Sequence, residues 1–337
     1  MMKRCIIISI AVSVMLFLTH HGCAQDIHFS QYMFSPMNLN PAETGNFDGD
    51  YRFVVNHKRQ WMSFADAYNT FSGSVDRHFL KEKKLRPGLG MLFNNDIAGD
   101  GDFGTLQVGI PVSLLYAMEN TSLYVGGMAS WVQHSFNYSA FYFGSQYTGH
   151  QFDPSLPTGE TIDADRFSYY DFSAGAGGNY QYSDSLRFNA GISVQHITQP
   201  VKSFYQNEEM QLNMRWQAYV QASIIIDKNI SLQPSVLFMT QGKYKEYNVG
   251  SNIQFDINPL GLRSVFAGVH VRARDAGILI FGLDYNKIRF NLSYDINLSG
   301  LTTISKGRGG VELSVIYIFQ KLNLLTNPPV KKCPEFI

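Results

Sequence analysis

Nine histidines are the residues of this 337-residue chain best able to do acid–base or metal chemistry, and spacing decides what they can do. His20 and His21 fall in an N-terminal leader. The other seven are scattered, without the His-Glu-x-x-His, paired-cysteine or glycine-rich phosphate-loop spacing that gathers ligands. His134 beside Ser135, or His196 and His270 on strand faces, could join a serine-based lipid hydrolase site; the plainer reading is polar histidines meeting water. Asn94, Asn95, Asp96, Asp100 and Asp102 make an oxygen-rich stretch suited to calcium. No closing Glu completes a twelve-residue ligand pattern, however, and Gly99, Gly101 and Gly104 give the stretch the chemistry of turns. The expectation is no catalysis, no cofactor and no metal.

The composition points to a membrane wall instead. Charged residues are 16% and aromatics 14%, with 25 Phe and 19 Tyr, fewer charges than the roughly 25% of an ordinary soluble chain. Lys plus Arg equals Asp plus Glu at 27 each, so no excess positive charge exists to neutralise a phosphate backbone, and no nucleic-acid partner is expected. Residues 1–24 read as a signal peptide: Lys3 and Arg4 precede the apolar run Cys5 to Leu18, and Gly22 and Ala24 stand before a cut between Ala24 and Gln25. His20 and His21 disfavour a lipidated Cys23. The apolar run is also shorter than the roughly 20 residues that span a bilayer as a helix. Removal of the leader leaves Cys333 as the one cysteine, so export to an oxidising compartment brings no internal disulfide.

Past residue 24 the dominant pattern is period two. Ile288, Phe290, Leu292, Tyr294, Ile296 and Leu298 share one face, with Arg289, Asn291, Ser293, Asp295 and Asn297 on the other. Val311 to Gln320, Tyr247 to Phe255 and Val265 to Ala273 repeat it. Read throughout, the chain predicts fourteen strands near 51–61, 67–78, 87–97, 103–117, 121–136, 168–182, 186–197, 211–226, 230–240, 244–256, 264–274, 277–285, 288–298 and 310–320. Tight joins follow strands 6, 8 and 12, and long loops at 137–167, 198–210 and 299–309 follow strands 5, 7 and 13. That parity fits an all-β outer-membrane barrel of about 14 antiparallel strands over 51–320, both termini periplasmic, its apolar band in lipid and its polar face, Ser293 included, meeting water.

Residues 25–50 are aromatic and broken by Pro and Asn, so they are either a periplasmic lead-in or a plug folded into a lumen too wide for wall side chains to fill. The loop around Tyr142, Phe143, Tyr147, Phe152 and Arg166 is either a contact surface or a cap on the barrel. Residues 321–337 form a periplasmic tail.

Motifs in order carry a resemblance. Phe29-Ser30-Gln31-Tyr32-Met33-Phe34-Ser35-Pro36, Leu39-Asn40-Pro41-Ala42 and Thr44-Gly45 resemble the N-terminal signature of the PorP/SprF family of type IX secretion system outer-membrane proteins. Arg59-Gln60-Trp61, Gly88-Leu89-Gly90 with Asn95-Asp96 and Gly99, and Phe143-Gly144-Ser145-Gln146-Tyr147 are similar to its later motifs. Gly191 to His196, Pro234-Ser235 and the Lys332-Cys333-Pro334-Glu335-Phe336 tail continue the likeness over nearly the whole mature chain. The resemblance implies a non-catalytic barrel of the secretion and gliding machinery. It would anchor or dock periplasmic lipoproteins, including a peptidoglycan-binding one, the C-terminal domains of secreted adhesins, or both. The alternative is a porin-like diffusion or uptake channel.

Overall fold

A computed structural model describes residues 26–60, 68–160, 164–204, 210–257, 261–299 and 302–320. Ala24, Gln25, Trp61, Cys333 and the tail from residue 321 lie outside them.

Fourteen strands are formed: β1 Tyr51–Gln60, β2 Tyr68–His78, β3 Leu85–Ala98, β4 Phe103–Ala117, β5 Thr121–Ser135, β6 Arg166–Ser183, β7 Leu186–Gln195, β8 Arg215–Asp227, β9 Ile230–Gln241, β10 Tyr244–Asp256, β11 Leu262–Arg272, β12 Ala276–Tyr285, β13 Ile288–Asn297 and β14 Arg308–Phe319. Each pairs antiparallel with its neighbours. β1 then pairs with β14, from Tyr51 opposite Phe319 to Gln60 opposite Gly310, closing the barrel. Closure leaves no unpaired edge among the strands, as hydrocarbon demands.

Expected and observed strands agree within a few residues. The largest difference is the start of β8, at Arg215 rather than 211. Gln211 instead bridges Val201, and the Leu212 amide bonds the Pro200 carbonyl, so these residues close their own loop before the wall begins. The long joins 136–165, 196–214 and 298–307 all follow odd strands, but the odd-strand joins 242–243 and 273–275 are tight as well.

The alternation sorts as the pattern requires. Phe290, Leu292, Tyr294 and Ile296 are exposed on the outer face, whereas Asn291, Ser293, Asp295 and Asn297 are buried inside. Val269 and Val271 likewise face out while His270 and Arg272 face in. Among the described residues no helix is long and apolar enough to cross a membrane.

The inner face does not meet water as expected. Ser293 is only 1% exposed, because residues 26–50 occupy the lumen against it. This segment descends through short turns, Tyr32–Phe34, Pro36–Leu39 and Pro41–Glu43, and nearly every residue from Phe29 to Gly45 is buried. The plug reading is therefore the observed one. Asp26 bonds His196 and Gln241, both at the ends of odd strands, whereas Asp50 donates its amide to the Phe319 carbonyl at the opposite rim. Asp26 and Phe319 thus lie at opposite mouths of the barrel, and the expectation about the two termini falls outside the described residues.

Candidate functional site

The lumen is held shut in tiers of polar bonds and apolar seats. At the long-loop end, the Asp26 carboxylate accepts from His196 Nε2 and Gln241 Nε2, each at 2.6 Å, and His196 Nδ1 lies 2.9 Å from Asp171. Burial draws the His196 imidazole down, but its hydrogen bonds to Asp171 and Asp26, and their charges, outweigh burial and raise it to about 9. Burial pushes Asp26 the other way, and its bond to His196 with the nearby cations holds it below the usual carboxylate range. Just below, Arg215 donates to the Ile27 carbonyl and Lys58 to the His28 carbonyl.

Deeper, β14 supplies an acid to the plug backbone. Glu312 accepts from the amides of Ser30 at 2.8 Å and Gln31 at 3.1 Å. The Ser30 hydroxyl donates to Asp295, which also holds Arg272 at 2.8 Å. Apolar seats follow. Tyr32 and Leu39 pack on Tyr219 and Leu237; Phe34 on Phe266, Ile278 and Ile280; Met37 on Leu92 and Met128; Ala42 on Leu115 and Tyr124. Asn40 caps the next turn by accepting from the Ala42 amide, while its own amide donates to the Ala176 carbonyl of β6 at 3.2 Å. That approach requires glycine at 175, where a Cβ would stand 2.0 Å from the Asn40 Oδ1.

At the short-turn end Glu43 is a buried carboxylate without a salt-bridge partner among the described residues. Tyr124, Tyr219, Asn189 and Asn46 all donate to it. Arg52 of β1 binds Asp76 of β2 through two nitrogens, at 3.0 and 2.7 Å. The same carboxylate accepts the Gly45 amide, and Arg52 also reaches the Glu43 carbonyl.

Past this tier the plug covers only part of the mouth. A cavity of about 960 Å³ opens beside it, lined by Phe47, Asp256, Arg263, Lys287, Arg289 and Ile318 among others. A second, of about 490 Å³, lies between the ends of β5 and β8, with Asn179, Arg187, Asn189 and Gln221 on its walls.

At the other mouth, the loop 136–165 is organised by Gln146. Its side chain bonds the Phe143 amide and the Leu156 carbonyl, and the Asp153 amide donates to its own carbonyl. Tyr142, packed edge-on against Phe152, is 81% exposed and Tyr147 is 57% exposed, so this folded loop presents rings to solvent.

The motif residues therefore divide. Phe29, Gln31, Tyr32, Asn40 and Pro41 come together as plug contacts with the wall. Asp96 faces inward and accepts from Thr70 at 2.5 Å, while Arg59 and Asn95 lie on the outer face near the long-loop end, apart from the plug. Gln146 and Tyr147 belong to the loop. Glu43, Asp76 and Glu312 were not singled out by motif. The available signal is one acid, with Ser314 the one other polar residue, on the inner face of Val311–Phe319.

His134 and Ser135 do not form a hydrolase pair. His134 bonds Thr105 and Tyr169 inside the lumen, and its chain neighbour Ser135 necessarily points to the other face.

The plug signature and the barrel that carries it coincide with a known family. The family model for the type IX secretion system membrane protein PorP/SprF matches residues 22–317. The chain belongs to that family. Among curated proteins none matches in sequence. Among solved structures it is similar to the Ralstonia pickettii toluene transporter TbuX, with 11% identity, 85% of this chain and 94% of that chain covered, and a TM-score of 0.54. It is also similar to the TodX monoaromatic hydrocarbon channel deltaS2 mutant, with 10% identity, 84% and 93% covered, and a TM-score of 0.51. Such distant likeness establishes the fold alone: with the family, it makes this PorP/SprF member an outer-membrane barrel.

Proposed function

We propose that this PorP/SprF member is a non-catalytic anchor of type IX secretion, docking partners at its two mouths rather than passing solutes through its lumen. The observation that carries the reading is the lumen itself. The chain's own residues 26–50 fill it and are tied to β1, β2, β5, β7, β8, β13 and β14 by buried bonds, and to β6 by the partly buried bond from Asn40 to Ala176. What stays accessible is the aromatic loop at one end and the two cavities at the other. The short-turn mouth would hold periplasmic lipoproteins of the machinery, including a peptidoglycan-binding one, and the loop mouth the C-terminal domains of secreted adhesins.

The second reading, a diffusion or uptake channel, draws on the structural neighbours, which are themselves described as transporters or channels. A filled lumen speaks against it.

The test is co-purification from gently solubilised membranes. Tyr142→Ser with Tyr147→Ser should release a secreted partner. Arg263→Glu with Lys287→Glu should release a periplasmic one. Retention of every partner by both variants would remove the docking assignment.

A further inference from the structure

The outer rim at the short-turn end carries a feature that neither the plug nor the docking reading uses. Residues 77–86, Arg-His-Phe-Leu-Lys-Glu-Lys-Lys-Leu-Arg, hold five cations against one acid in a chain whose acidic and basic residues balance. The other short turns described in full, 118–120, 184–185, 228–229 and 286–287, carry one charged residue each, Glu119, Asp184, Lys228 and Lys287.

The geometry sets these cations toward the bilayer surface. Arg77 is the last outward-facing residue of β2, on the face of Phe71 and Val75. Its guanidinium lies 4.8 Å from the Tyr51 ring and 4.3 Å from the Phe79 ring, and it donates to the Tyr51 hydroxyl at 2.7 Å. Tyr51 in turn packs on Phe319, whose ring lies 5.7 Å from Lys287 Nζ. A row of cations and rings, Lys287, Phe319, Tyr51, Arg77 and Phe79, therefore runs around the rim from the β12–β13 turn to the β2–β3 turn. This is the level at which an arginine on a lipid-facing wall stops being costly and its stem can lie on hydrocarbon.

The turn itself is held open. Leu80 has a φ of +57°, a left-handed conformation that a leucine adopts only under constraint, and it is 60% exposed; Phe79 and Leu85 are exposed as well. Burial of Leu80 within the protein does not offset that strain. The turn is nonetheless fixed, since the Lys83 amide donates to the Leu80 carbonyl and Arg86 to the Lys83 carbonyl. Lys81 lies 3.6 Å from Asp48, a pair exposed enough to be weak. Lys83 and Lys84 are exposed.

Exposed apolar side chains flanked by cations, on the outer surface of a membrane barrel, match a lipid headgroup layer with phosphate above and acyl chain below. We propose that this rim is a binding site for anionic glycerophospholipid: Arg77, Lys81, Lys83 and Lys84 take the phosphate and headgroup charge, and Phe79, Leu80 and Leu85 enter the acyl boundary. The site would fix the height and rotation of the barrel in its leaflet, independently of any docked protein.

The test uses the whole mature barrel in phosphatidylcholine vesicles containing brominated phosphatidylglycerol or brominated phosphatidylcholine, with Leu85→Trp as a local reporter against the parental background. Quenching should favour phosphatidylglycerol by about fivefold at low salt, the effect of one cation at an anionic surface. High salt should reduce the preference. Lys81→Gln/Lys83→Gln/Lys84→Gln should bring it near parity while the barrel keeps its heat-modifiable electrophoretic migration. Equal quenching by both lipids without these substitutions, or a preference unchanged by them, would overturn the site. So would absence of lipid preference with loss of an acidic protein from the purified variant, since the patch would then serve a protein.

Discussion

Replacement of Asp76 by alanine tests the plug's lower latch directly. Asp76 is fully buried at its side chain and Arg52 is 8% exposed, so their two-nitrogen bond is shielded from water. Removing the carboxylate strands three donors: two guanidinium nitrogens of Arg52 and the Gly45 amide. Breaking a buried pair from one side costs about 3–5 kcal/mol, because the remaining charge is uncompensated. Arg52→Met with Asp76→Ala removes both charges. The Gly45 amide still goes unmatched, at a cost of about 1–3 kcal/mol. The pair should therefore show a coupling of at least about 2 kcal/mol, the double variant being more stable than the sum of the single changes implies. Urea unfolding in lipid vesicles, followed by tryptophan fluorescence, measures all four proteins of the cycle. A loss under about 1 kcal/mol for Asp76→Ala, with additive effects, would refute a latch built on buried charge.

Leu292→Arg should destabilise the wall by about 2–4 kcal/mol, whereas Gln254→Arg, which enters the open 960 Å³ cavity, should be tolerated; heat-modifiability in membranes compares the two, and equal losses would contradict the face assignment. Gly175→Ala should unseat Asn40 and cost about 1–3 kcal/mol in the same unfolding assay, with protease sensitivity appearing between residues 26 and 45. The His196 latch should respond to pH with a defined sign. Its imidazole is raised from 6.5 to about 9, so its stabilisation is complete below about pH 6.5 and lost as pH climbs through 9. The amount is about 3 kcal/mol, given one pKa unit per 1.36 kcal/mol. Asp26 is lowered, so its contribution is present above its ordinary value of 3.8 and disappears only in stronger acid. Protection factors of the amides of residues 26–31, which divide out the intrinsic base catalysis of exchange, should fall between pH 6.5 and 10, and His196→Asn should flatten that profile; protection that does not change with pH while His196 is in place would contradict the latch.

Strand number, order and outward faces were readable in the chain because each strand such as Ile288–Asn297 repeats the same two-residue contrast between lipid and interior. The plug was readable only as one of two alternatives. Its residues follow no period, and what holds them lies on strands far away in the chain: Ser30 on Glu312, Asn40 on Ala176, Glu43 on Tyr124 and Tyr219. Ser293 departs from its expected exposure for the same reason. A polar face looks alike in sequence whether water or another segment covers it. The entry of the plug from the long-loop end was likewise hidden, since Asp26 meets His196 only once the barrel has closed.

Single-molecule conductance of the purified barrel in planar bilayers tests the filled lumen most directly. With residues 26–50 seated, the barrel should show no stable open steps at moderate voltage. Steady porin-like steps of uniform size would mean that the lumen conducts, and the anchoring account would give way to the channel.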